Sequence, residues 1–262
     1  MRIVSWNLNS VRARYEHLMA YIAVGQPDVL LLQETKCVNA AFPFEELRDA
    51  GYDAVHWGQK TYNGVAIVSR LPIRDAAAGM PARPDDEQAR LIAATTTIGG
   101  ADMRLVCAYV PNGGSVDSEK YQYKLEWLAD FAGYLGDTAR DFPGGVIVGG
   151  DFNVAPTDDD MYDADDWGHD TILISACERR AFAALTEKGY VDAHRLFAQP
   201  PERAFSWWDY RAASFARNHG VRIDMFLLSP PAEERCTLCT PDPAPRGWDR
   251  PSDHAPIVAQ FE

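Results

Sequence analysis

The chain has 262 residues, 47% of them hydrophobic, enough for a sizeable core, and residues 1–262 are read as one domain. Its formal net charge of −13 excludes sequence-blind adhesion to nucleic acid through bulk charge, and leaves open a local basic face or carboxylates gathered about a divalent cation. No charged leader followed by an apolar stretch opens the chain, no apolar run approaches the roughly 20 residues of a membrane span, and five cysteines in a chain of this length suit a reducing cytoplasm.

In chain order, "RIVSWN" reads as a first strand. Tyr15, Leu18, Met19 and Ile22 then follow the i, i+3, i+4, i+7 spacing of a helix. "DVLLLQE", "GVAIVS", "LIAATTTI" and "MRLVCAYV" follow as strands, with no helical pattern across residues 52–110. Tyr121, Leu125, Leu128, Ala132 and Leu135 mark a second helix, with Asp117 or Ser118 as its N-cap. "GGVIVGG" is a strand apolar on both faces, and a third helix is expected over Glu178–Lys188, stopping at Gly189. "VRIDMFLL" and "APIVAQF" complete the strands. The CxxC of Cys236 and Cys239 lies in "ERCTLCT", which alternates like a strand, and no second ligand pair for zinc follows it. "PTDDDMYDADDWGHD" holds seven aspartates and reads as a solvated loop, since the closing Glu of a calcium loop is missing. The mixture of strands and helices predicts an α/β fold: two mixed sheets packed face to face with helices on both outer faces, a four-layer sandwich.

Polar residues collect where the strands stop. Asn7 and Asn9 end the first strand, Glu34 the second, Tyr109 and Asn112 "RLVCAYVPN", and Asp151 and Asn153 "VIVGGDFN". Asp224 sits in "VRIDMF", and Asp253 and His254 precede the last strand. Each residue alone could cap a turn or sit on a surface. Six strand ends of this kind sharing one edge would form a cleft, and carboxylates meeting there would repel one another unless a cation sat among them. Oxygen donors of this type favour Mg²⁺, with Mn²⁺ as a substitute, over zinc.

The stretches "SWNLNSVRAR", "PDVLLLQETK", "YNGVAIVSR", "AYVPNGG", "VGGDFNVAP", "FSWWDYR", "VRIDMFLLS" and "PSDHAPI" run from end to end of the chain. In them the chain resembles the exonuclease III and AP endonuclease branch of the endonuclease/exonuclease/phosphatase superfamily. "QETK", "FSWWDYR" and "RID" point to the DNA-repair branch in particular. The resemblance implies the DNase I-like form of the four-layer sandwich and one catalytic domain. Two departures stand out: Ser10, where the branch commonly carries Gly and a small backbone adjustment is expected, and the long acidic approach to "WGHDTILIS".

The roles implied are specific. Glu34 is the main metal ligand, Asn7 completes its shell, and Asn9 falls near the metal. Asp151 activates the attacking water and Asn153 orients it, while Asp224 holds His254, which faces the scissile phosphate. Tyr109 donates to that phosphate or to Asp151. Asp253 binds metal or supports the water, and Asp151, Asn153 and His254 also count among the candidate metal-site residues. Around the lesion, Trp207, Val221 and Ile223 are expected to form an apolar pocket for a flipped-out, base-free sugar, with Arg211 beside it. Trp208 is expected in the core. Lys36, Arg12, Arg14 and Asn112 are candidate phosphate contacts. The implied activity is Mg²⁺-dependent incision of double-stranded DNA 5′ to abasic sites, with 3′→5′ exonuclease and 3′-phosphatase action on blocked 3′ ends. The expected form is a monomer with no membrane and no obligate protein partner. Two competing readings are a superfamily phosphatase acting on an inositol or lipid phosphate, and a DNA-binding module without catalysis.

Overall fold

The computed structural model describes residues 1–168, 170–198 and 203–262. Its strands are β1 (Arg2–Asn7), β2 (Val29–Gln33), β3 (Asp53–Trp57), β4 (Val65–Ser69), β5 (Arg74–Ala78), β6 (Leu91–Ile98), β7 (Ala101–Tyr109), β8 (Val146–Asp151), β9 (Val191–Asp192), β10 (Asp224–Leu228), β11 (Cys236–Pro241) and β12 (Ile257–Phe261). Its helices are α1 (Tyr15–Gly25), α2 (Phe44–Asp49), α3 (Glu119–Asp141), α4 (Ala164–Trp167), α5 (Ala176–Thr186), α6 (His194–Phe197) and α7 (Pro230–Glu233).

The strands form two six-stranded sheets, ordered β11-β12-β1-β2-β4-β3 and β5-β6-β7-β8-β10-β9. Each is mixed: β1 runs parallel to β2 in one sheet and β7 parallel to β8 in the other, and the remaining pairs are antiparallel. Alternation explains the layers. Ile3, Leu31, Ile67, Leu105, Ile147, Phe226 and Ile257 point inward and fill the space between the sheets. Val4, Trp6, Leu30 and Leu32 point outward and meet Leu18, Tyr21 and Ile22 of α1. Val106, Val148, Met225 and Leu227 meet Trp127, Leu128, Phe131 and Leu135 of α3 and Phe182 and Leu185 of α5. The result is the four-layer sandwich the apolar runs predict. Each fully buried Leu or Ile removed from water contributes about 1.5–3 kcal/mol.

Ser118 caps α3, accepting a bond from the Tyr121 amide. The buried face of that helix also includes Lys124 and Trp127, while Leu125, expected in the stripe, is half-buried. The third long helix begins earlier than expected, at Ala176, because Ser175 and Glu178 form a reciprocal capping box, and it ends at Thr186. Cys236 and Cys239 lie on β11 and are free, as the alternating pattern predicts.

In the acidic stretch Asp158, Asp163, Asp165, Asp166 and Asp170 are exposed, as a solvated loop requires, and Asp160 departs from it. Asp160 is 1% exposed and takes ion pairs from Arg222 at 2.7 Å and Arg195 at 2.5 Å, which offset the cost of burying its charge. His169 of "WGHD" lies outside the described residues. Ser10 keeps φ +93, a region that suits glycine, so the residue holds a strained turn in place of an ordinary backbone adjustment.

Candidate active site

The parallel pairs of both sheets end at the same edge. Across the second sheet, Tyr109, Asp151 and Asp224 stand side by side in register at the ends of β7, β8 and β10. Gly150 brings Asp151 there: a Cβ on it would fall 1.9 Å from the Ala108 carbonyl oxygen, so the β8 backbone lies close to β7 only without one. From the first sheet, Asn7 closes the gap. Its Nδ2 donates to Glu34 Oε1 at 2.9 Å and to Asp151 Oδ2 at 3.0 Å. Glu34 has φ +50 and Asn153 φ +49, left-handed conformations that cost energy for residues with a Cβ and that the surrounding bonds maintain.

His254 Nδ1 lies 2.8 Å from Asp224 Oδ2, and its Nε2 lies 3.8 Å from Asp151 Oδ2. Burial alone would lower the imidazole, but Asp224, Asp151 and Asp253 outweigh it and raise it. Burial also pushes Asp151 up, helped by Asp224 and Glu34 and opposed by His254. The Asp151–His254 pair therefore retains a proton through neutral pH. Glu34 behaves oppositely. Burial would raise it, yet Lys36 at 2.6 Å, Asn7 and His254 hold its carboxyl below the usual range, as an anion. Tyr109 stays a phenol: burial and the charges of Glu34 and Asp151 lift it well above its ordinary value. Its hydroxyl feels the charges of both Glu34 and Asp151, the second of which is the expected partner. Behind Glu34, the Thr35 hydroxyl bonds the ring of His56 at 2.8 Å, and His56 stacks on Phe42 at 4.2 Å.

Glu34, Asp151 and His254 bring ligand atoms within 4.8 Å of one another, the only such group of His, Cys, Asp and Glu among the described residues. The two carboxylates facing one point fit a divalent cation, which would offset their mutual repulsion, while the imidazole, held protonated by its carboxylate neighbours, stands beside them as a donor. Three other expected ligands are arranged differently. Asn7 turns its nitrogen to the carboxylates, because two anions need a donor between them, and its oxygen accepts the Asn9 amide at 2.9 Å. Asn153 gives its side-chain oxygen to Asn112 at 3.1 Å and its nitrogen to Val110 and Asp151. Asp253 stands outside the group of three; its oxygens accept from Asn9 at 2.9 Å and Trp207 at 3.0 Å.

The expected substrate residues divide. Trp207 is half-buried and forms a small apolar cluster with Trp167 and Ile172, but Val221 and Ile223 are 0% and 2% exposed beneath it. They support the wall and are not its surface, because both lie on the chain that leads straight into β10 and point into the packed cluster. Trp208 is buried, as expected. Arg211 is exposed and forked onto Asp209. Arg12 is exposed. Lys36 is engaged at Glu34 and Asn9. Arg14 is spent on the Asn9 carbonyl, the Tyr210 hydroxyl and the Pro251 carbonyl, where it buttresses the first loop instead of reaching outward. Asn112 opens onto a cavity of about 570 Å³ that Tyr109, Arg90 and Lys120 also line.

Some supports were not foreseen. Ser206 donates to Asp224 Oδ2 at 2.7 Å and accepts the Ile223 and Asp224 amides, and Ser252 bonds the Asn7 carbonyl at 2.7 Å. Both sit within quoted motifs, "FSWW" and "PSDH", which was the available signal. Lys124 and Glu178 form a buried ion pair behind Asn153. Only the Ser-x-x-Glu spacing of 175–178 hinted at it.

Known proteins share this arrangement of chain. The Endonuclease/Exonuclease/phosphatase family pattern matches residues 4–254. Exodeoxyribonuclease III of Haemophilus influenzae is 34% identical over 268 residues, covering the whole of both chains. The 3′–5′ exonuclease NExo of Neisseria meningitidis superposes with a TM-score of 0.94 at 40% identity, covering both chains completely. A structure of NExo from Neisseria described as a 3′ phosphatase holds a product DNA hairpin. An AP endonuclease from Archaeoglobus fulgidus gives a TM-score of 0.92 at 39% identity over 100% of this chain and 99% of the other.

Proposed function

The chain belongs to the endonuclease/exonuclease/phosphatase family, and from that premise we propose that it is a DNA-repair hydrolase of the exonuclease III type. It cleaves duplex DNA 5′ to abasic sites, removes nucleotides from 3′ ends and releases 3′ phosphates. The observation that carries the reading is the trio Glu34, Asp151 and His254, joined by Asn7 and braced by Asp224. A site that hydrolyses phosphate esters needs positive charge on the phosphoryl oxygens and a base for water, and this trio has the groups for both.

Mg²⁺, with Mn²⁺ as a substitute, is the ion assigned to Glu34 and Asp151, where it would neutralise phosphoryl charge. Asp151 accepts the proton of the attacking water, and Asn153, bonded to it, fixes the lone pair that does so. Protonated His254, oriented by Asp224, donates to a phosphoryl oxygen. Tyr109 remains a neutral donor at the same edge. Trp207 packs on the sugar at the lesion, and exposed Arg12 and Arg211 meet phosphates and the distorted duplex. No helix of the described residues is long and apolar enough to cross a membrane, and the cysteines are free, which suits work on cytoplasmic DNA.

The test is incubation with two duplexes, one bearing a single abasic site and one a 3′ phosphate, with Mg²⁺ and with EDTA. Both should be processed with Mg²⁺ and neither with EDTA. Inertness on both, with hydrolysis of an inositol phosphate, would replace this reading with the phosphatase one.

A further inference from the structure

Behind the proposed catalytic edge lies an ion pair that the chemistry does not touch. Lys124 of α3 and Glu178 of α5 both have side chains 0% exposed. The Lys124 ammonium has three donors and meets three acceptors: Glu178 Oε1, the Asn153 carbonyl at 2.6 Å and the Asn112 carbonyl at 3.2 Å. Glu178 is equally occupied, by the Leu173 amide at 3.0 Å, the Ser175 amide at 3.1 Å and the Ser175 hydroxyl at 2.6 Å. Burying such a pair is poor value for stability alone, since apolar residues of like volume serve as well or better. What apolar residues cannot do is hold two backbone carbonyls.

Those two carbonyls belong to the residues that meet over Asp151. Asn112 Nδ2 donates to Asn153 Oδ1 at 3.1 Å, and Asn153 donates its backbone amide to Asp151 Oδ1 at 2.9 Å and its side-chain amide to Asp151 Oδ2 at 3.2 Å. Asn153 does this from a left-handed conformation, φ +49, which its surroundings must impose. The loop also packs on the lysine stem: a Cβ at Gly113, φ +95, would lie 3.1 Å from Lys124 Cδ.

We propose that the Lys124–Glu178 pair is a positioning device, which holds Asn153 and Asn112 from beneath so that Asn112 steadies Asn153 and Asn153 fixes the carboxylate of Asp151. The proposal rests on the reading of Asp151 as the base. It places Lys124 and Glu178 outside contact with substrate, acting on the chemical step through Asn153 and leaving DNA binding alone.

The experiment compares wild type with Lys124→Met together with Glu178→Gln, which removes both charges without stranding one, and with Glu178→Asp, which keeps the pair but shortens its reach. Kinetics are measured on the 3′-phosphate duplex below each protein's own melting temperature. The folded double variant should lose about 10- to 100-fold in kcat with KM within about twofold, as expected when a reacting group is displaced without loss of binding. In an Asn153→Ala background the same change should cost much less, because its target is gone. Wild-type kcat in the folded double variant overturns the proposal. If the double variant does not fold, Glu178→Asp decides: a several-fold lower kcat supports the device and an unchanged kcat overturns it. Amide hydrogen exchange separates this proposal from the reading of the site. Should the wild type cleave no DNA, faster exchange at the Asn153 amide in the variant, with α5 still protected, still supports the positioning role, and unchanged Asn153 exchange rejects it.

Discussion

The centre of the edge and its rim are built by different rules. In the centre, Asn7 bonds Glu34 and Asp151, Asn153 bonds Asp151 and His254 bonds Asp224, all at 2.8–3.2 Å, with His254 3.8 Å from Asp151, and two of these residues hold left-handed backbone. At the rim, Arg211 is 88% exposed with one carboxylate partner from its own turn, and Arg12 stands in solvent. The centre is preorganised, so its groups lose little freedom at the moment of reaction. The rim adapts to whatever duplex arrives, and each contact there is worth little by itself. Substitutions in the centre should therefore change rate, and substitutions at the rim should change affinity and salt response.

The largest effect is expected at Asp151. Asp151→Asn keeps the shape and removes the base, so single-turnover cleavage should fall about 10²–10⁴-fold while DNA binding, read by gel shift, is unchanged. Near-normal turnover would move the base elsewhere. Glu34→Gln comes next. It should raise the Mg²⁺ needed for half-maximal activity by about 10-fold or more, because it takes a charged oxygen from the proposed cation site. An unchanged titration curve removes Glu34 as a ligand.

His56 tests the centre from behind, without touching it. Burial pushes its imidazole down to about 4 from 6.5. The unfolded chain takes up the proton near 6.5 and the folded one only near 4, so stability is lost as pH falls between those values, by an amount on the order of 3 kcal/mol. Denaturation of wild type and His56→Gln across that range should show the difference between them shrinking toward acid. A constant difference would mean that His56 titrates alike in both states. The smallest effects belong to the rim. Arg211→Ala or Arg12→Ala should weaken duplex binding no more than about fivefold and flatten the salt slope slightly, with kcat unchanged. A loss in kcat would place either residue in the centre.

The contrast also explains what could be read in advance. Runs such as "DVLLLQE" and "VIVGGD" are apolar on both faces and then stop on a carboxylate. Strand ends, sheet count and helix layers follow from period and punctuation, which are local properties. What escaped depended on pairing across distance. Asp160 reads as one aspartate in a solvated run until Arg222, 62 residues on, is brought to it by the β10 approach. Lys124 reads as a surface lysine on α3 until α5 covers it with Glu178. Val221 and Ile223 lie deeper than the lining of the expected apolar pocket, because the resemblance names residues and not their depth. The direction of the Asn7 amide likewise depends on two carboxylates, one from each sheet.

The central claim is that one preorganised centre serves every cleavage, and that the rim only selects among substrates. The most direct measurement is the rate on an abasic duplex and on a 3′-phosphate duplex, for wild type, Asp151→Asn and Trp207→Ala. Asp151→Asn should lower both rates by the same factor, whereas Trp207→Ala should lower abasic incision more than 3′-phosphate release. If Asp151→Asn abolished one activity and left the other intact, the two would not share a centre and the account would be contradicted.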